Sequence, residues 1–73
     1  MDKTIRSDEY KRIVEKLRQA RIEAGLSQVK AAKMLKKSQS YISKGEAGEQ
    51  RLDILELKRL AKIYKKPLDY FIK

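Results

Sequence analysis

Apolar residues in this chain recur mainly at spacings of three and four, with no sustained alternation of the strand type. Tyr10, Ile13, Val14, Leu17, Ala20 and Ala24 trace one such stripe, the pattern of an amphipathic α-helix. No half-buried strand can be written from this sequence, because a strand needs apolar residues on alternate positions. The chain is therefore expected to be all-α, and the remaining question is where each helix begins and stops.

The stops lie close together. Ser7 is an expected N-cap, with Asp8 and Glu9 in the first turn to complement the helix dipole. Gly25 ends that helix at a left-handed position. Ser27 caps a second helix over about residues 28–35, with Val29, Ala31, Ala32, Met34 and Leu35 as its apolar set. Lys36 and Lys37 form the turn, because Ser38 already caps a third helix over about 39–47, closed by Gly48. Asp53 caps a fourth helix, with Glu56 three residues on as a capping box in its Asp form. Ile54, Leu57, Leu60, Ala61 and Tyr64 make its inner face, and Pro67 blocks extension. Leu68, Phe71 and Ile72 fit a short fifth helix. Residues 1–6 are expected to be a flexible N-terminus, and 7–73 a single domain.

Composition removes several kinds of function. The chain has 73 residues, no cysteine and no histidine. That excludes disulfides and thiolate metal sites, and it removes the commonest general base. Asp8 and Glu9 are neighbours on a helix and point apart, as do Ser43 and Lys44. No Gly-rich phosphate loop is present. We expect no catalytic residues, no metal and no cofactor. No apolar run is long enough to span a bilayer, and the N-terminus lacks a signal-peptide core. An intracellular, cytoplasmic protein follows as the expectation, with no sensor domain attached. Lys and Arg number 19 against 10 Asp and Glu, a net charge of +9, which is the footprint of a polyanion binder.

The third helix is polar outside. Gln39, Ser40 and Lys44 face outward and Ile42 inward. Two short helices with a tight turn between them, the second small and hydrogen-bonding on its outer side, form a helix-turn-helix arrangement. In such a pair the second helix lies in the major groove while the first crosses the phosphate backbone. Gly45, three residues after Ile42, stands where a second large anchor belongs.

The stretches LRQARIEAGLSQ, AAKML, SQSYISK with Glu46 and Gly48, LDILELKRLAKIY and PLDYF resemble the Xre/Cro-type, lambda-repressor-like helix-turn-helix domain over roughly residues 13–72. The resemblance implies a five-helix, all-α domain that binds double-stranded DNA. It assigns base contacts to Gln39, Ser40 and Lys44. It assigns phosphate contacts to Gln28, Ser38, Tyr41 and Ser43, with Gln28 also bracing the recognition helix. Arg21 and Glu46 match a partly buried ion pair. Side-chain chemistry agrees, since Gln pairs with adenine N6 and N7, and Lys donates to guanine O6 and N7.

A small transcriptional regulator acting as a homodimer on an inverted repeat, with self-association near Ile72, is the expected role. An antitoxin-like protein-interaction module without specific DNA readout is the alternative. A non-specific RNA or membrane-surface binder is a third, disfavoured because the apolar stripes are consumed by the core.

Four positions depart from the family pattern. Lys36 replaces a turn glycine, Lys37 an aliphatic residue, Ala31 a leucine, and Gly45 a β-branched residue or leucine. Ala31 and Gly45 together predict a core cavity between helices 2, 3 and 4. Met34, Leu57 or Leu60 would collapse into it, the helix end would shift, or the gap would be one made by substitution and open to a ligand.

Overall fold

A computed structural model describes residues 7–72; the flexible terminus expected at 1–6 lies outside the described residues. Five helices follow in order: α1 Asp8–Glu23, α2 Gln28–Leu35, α3 Gln39–Glu46, α4 Ile54–Ile63 and α5 Asp69–Ile72. No strand occurs among the described residues. α1 packs on α3 and α5, and α2 on α3 and α4.

All four expected caps form. The Ser7, Ser27 and Ser38 hydroxyls accept from the backbone N–H of Tyr10, Lys30 and Tyr41 at 3.1, 3.1 and 3.2 Å. Asp53 Oδ1 accepts from the Glu56 N–H at 2.8 Å. Each such cap stabilises its helix by about 1 kcal/mol. The reciprocal half of the expected capping box is not made. The Glu56 carboxylate instead lies 4.0 Å from both Lys37 Nζ and the Arg59 guanidinium, and its buried Oε2 has no hydrogen-bond partner.

α1 to α4 all stop in the same way. A left-handed residue follows the helix, and the next N–H bonds back five residues. The bonds are Leu26 to Arg21, Lys37 to Ala32, Glu49 to Lys44 and Lys66 to Ala61, at 2.9–3.1 Å. Gly25 and Gly48 supply two of the left-handed residues, and Lys36 (φ 63°) and Lys65 (φ 59°) the others. For a non-glycine residue that geometry costs about 1–2 kcal/mol. The bonds that satisfy the last helical carbonyls offset part of this cost.

The core gathers Tyr10, Val14, Leu17, Ala20, Ala31, Ala32, Leu35, Ile42, Leu57, Leu60, Ala61, Tyr64 and Phe71. Several expected apolar positions lie outside it. Val29, Met34, Ile54 and Ile72 are at least half exposed, and Ala24 is exposed as the α1 C-cap.

The expected cavity is also corrected. What remains beside Gly45 is about 10 Å³, bounded by Ile42, Leu52, Leu60 and Tyr64 among others. That is no more than the space of one water, and Ala31 is not on its wall. The filler is Leu52, a loop residue. Its side chain lies 3.8 Å from where a Gly45 Cβ would stand. Tyr10 holds that loop down: its hydroxyl donates to the Gln50 carbonyl and accepts from the Leu52 N–H, both at 3.0 Å.

Candidate nucleic-acid interface

α3 buries Ile42 and Gly45 and turns Gln39, Ser40 and Lys44 outward, all three exposed. Ser38 is exposed at its N-terminus, and its oxygen accepts from Tyr41. Ser43 and Tyr41 are half-buried at the edges of the helix. The Tyr41 ring lies against the Leu52 side of the core, with Lys37 Nζ 5.3 Å from its centroid. Burial raises the Tyr41 pKa, helped by the nearby Glu56 and Asp53 carboxylates. Tyr41 is therefore a neutral hydroxyl donor at physiological pH.

A chain of hydrogen bonds runs from the interior to the outer face. Arg21 grips Glu46 with two bonds, Nε to Oε2 at 2.6 Å and Nη2 to Oε1 at 3.1 Å. Its third donor, Nη1, reaches the Leu26 carbonyl at 2.8 Å. The bond to Glu46 raises the Arg21 pKa, against the opposing effect of burial. Gln28 Nε2 donates to Glu46 Oε1 at 3.1 Å. Gln39 Nε2 in turn donates to Gln28 Oε1 at 2.7 Å. Three helices are thereby linked through four side chains, and the outermost amide is held in one orientation. The Arg21–Glu46 side chains are only 11% and 8% exposed. This pair is therefore partly buried, between the fully buried pairs, where removing one partner is costly, and the surface pairs worth almost nothing.

The electrostatics of α2 and α3 differ from those of α1 and α4. The first turns of α1 and α4 carry acidic residues, whereas those of α2 and α3 carry none. The positive ends of these two helix dipoles are therefore left for an external anion. Lys30 is exposed in the first turn of α2, Lys33 and Lys44 in the last turns of α2 and α3, and Lys36 at the α2 C-cap. Lys37 is exposed as well, but its ammonium leans toward the Tyr41 ring and the Glu56 carboxylate, 5.3 Å from the ring centroid and 4.0 Å from Oε1.

Among the described residues no cluster of acidic side chains could hold a metal ion, and no helix is long and apolar enough to cross a membrane. Sequence reasoning named Gln28, Gln39, Arg21 and Glu46 but missed three supports: the Leu26 carbonyl, the lean of Lys37 over Tyr41, and Leu52 under α3. Only Lys37 left a signal, as a cation one residue before the α3 cap. A family model described as "Helix-turn-helix" matches residues 17–71, a span that includes every residue of the hydrogen-bond chain. No curated protein matches the chain.

Proposed function

The chain belongs to the helix-turn-helix family of Xre/Cro-like domains, which makes it a DNA-binding regulatory domain in general, and from that premise we propose that it reads a specific duplex sequence as a homodimer on an inverted repeat. The observation that carries the readout is the Gln39 amide. One of its N–H groups is held by Gln28. The carbonyl oxygen and second N–H remain for a base, and they match the N6 donor and N7 acceptor that adenine presents in the major groove. Ser40 and Lys44 extend the same face, with Lys44 suited to guanine O6 and N7.

Gln28, Ser38, Tyr41 and Ser43, with the acid-free helix N-termini, would take the flanking phosphates and fix register without reading sequence. Exposed lysines on α2 and its turn add attraction to any duplex. A dimer would set two copies of α3 about 34 Å apart, one turn of DNA. Ile72, which is 53% exposed, supports a contact between the C-terminal ends. In a cell such a protein would be intracellular and associated with the nucleoid.

Selection of bound sequences from random duplex DNA tests the proposal. Enrichment of an inverted repeat with adenine at a fixed position in each half is the expected result. Recovery of no preferred sequence would overturn it in favour of a module that binds only protein.

A further inference from the structure

The cations on the outer face of α4 have no role in the readout described above. Lys58, Arg59 and Lys62 are exposed there, spaced as one helical stripe. Within α4 only Glu56 opposes them, and it already lies between Lys37 and Arg59. A solvated basic face would account for the charges by themselves. It does not account for the cleft beside them. Between the end of α2 and α4 lies an open groove of about 530 Å³, lined by Met34, Leu35, Lys36, Arg59, Lys62 and Ile63. Its size is within the range of binding pockets, about 300–1,000 Å³. Met34 is 55% exposed on its lip, although the sequence pattern would place it in the core. Arg59 and Lys62 also line a second cleft of about 420 Å³ on their other side, where Leu55 is exposed.

We propose that this groove is a docking surface for an acidic amphipathic helix of a partner protein. An apolar floor with cations along one rim complements a helix with leucine-type anchors at i, i+3, i+4 and i+7 and carboxylates flanking them. The apolar anchors would cover Met34 and Ile63. The carboxylates would meet Lys36, Arg59 and Lys62, whose charges also disfavour a basic partner. Gln39, Ser40 and Lys44 do not line this groove, so the base-reading residues stay clear of the partner, and Lys36 is the one cation shared between the groove and the face toward DNA.

The test uses the full chain, labelled with ¹⁵N, and a synthetic helix-forming peptide with leucines on one face and glutamates beside them. A peptide of the same composition with its order shuffled to destroy the face serves as control. Expected are amide shifts concentrated at Met34, Leu35, Lys62 and Ile63, and binding roughly tenfold weaker for the shuffled peptide. Met34→Ser and Lys62→Glu should each weaken the ordered peptide by roughly tenfold. Both residues are exposed, so circular dichroism should be unchanged; Lys62→Glu puts a carboxylate in the last turn of α4 and should lower the Tm by roughly a few degrees without unfolding the domain. Met34→Ser should also leave the selected DNA sequence unchanged. Equal binding of both peptides, shifts centred on α3, or preference for anionic phosphatidylglycerol vesicles over the ordered peptide would each overturn the proposal.

Discussion

Two glycines three residues apart in α3 and its stop should respond to alanine with opposite signs. At Gly45 the backbone is helical and an added methyl would sit 3.8, 3.9 and 4.0 Å from Leu52 Cδ2, Cδ1 and Cγ. These are ordinary contact distances. Alanine there removes a helical glycine and buries a methyl, together worth about 1–2 kcal/mol. At Gly48 φ is +75°, and the nearest side-chain atom to a new Cβ is Val14 Cγ2 at 4.0 Å. Space is not limiting there, but the left-handed backbone is, at a cost of about 1–2 kcal/mol. A domain of this size shifts its Tm by about 4–8 °C per kcal/mol. Thermal unfolding followed by circular dichroism should show Gly45→Ala melting roughly 5–15 °C higher and Gly48→Ala lower by a similar amount. Gly45→Ile adds a further check. Its outer carbons must displace Leu52, so it should gain less than alanine or lose about 1–3 kcal/mol. If Gly45→Ile raised the Tm more than Gly45→Ala, the space beside α3 would be a true cavity, and the account of Leu52 as its filler would be wrong.

Affinity for the preferred duplex should fall more than about tenfold between about 50 and 200 mM salt, at about −0.9 in log–log slope per phosphate neutralised; a flat titration by fluorescence anisotropy would contradict the DNA reading. Gln39→Ala should cost about 1–3 kcal/mol on the preferred site and little on random DNA, whereas Lys33→Ala should weaken both alike, and identical behaviour of the two variants would displace α3 from the groove. Glu46→Ala leaves the partly buried Arg21 without its carboxylate and should cost about 1–3 kcal/mol, read as a drop in urea midpoint; a drop below about 1 kcal/mol would place the pair among surface bridges. Burial pushes the Tyr64 hydroxyl up to about 12, with the Glu46 charge adding to it. The fold therefore favours the neutral phenol. The resulting stabilisation is complete below the unfolded value near pH 10 and is lost as pH rises toward about 12. Tyr64→Phe should lose less stability than the parent over that window, and parallel pH profiles would refute the assignment.

What could be read from the sequence was what is decided locally. Ser7, Ser27, Ser38 and Asp53 announced their helices because a cap needs only its own oxygen and an N–H three residues on. Gly25 and Gly48 marked two stops because glycine tolerates φ > 0. Lys36 was expected in that geometry only through the family pattern. Lys65 makes the same stop with no glycine and was not foreseen. Helical spacing found the apolar stripe of α1, but on eight-residue helices it could not say which arc would be covered. Val29 and Met34 belong to the apolar set of α2 and yet lie outward. Leu52 was illegible for a different reason: its burial depends on Tyr10 fixing the loop from the far end of the sequence. The hydrogen-bond chain from Arg21 to Gln39 was legible in its members through the family resemblance, but not in the order of its links.

That tyrosine gives the domain an internal gauge of its own opening. The Leu52 N–H belongs to a loop, and loop amides ordinarily exchange with solvent on small, local fluctuations. Here its acceptor is a hydroxyl 42 residues away in sequence, on the first turn of α1. Deuterium can replace that proton only when α1 lifts from the loop or the loop pulls free of α1. Leu52 should therefore exchange at the rate of a larger unit, in step with the amides of the α1 core. One backbone position thus reports the coupling between the beginning of the chain and the segment that leads from α3 into α4.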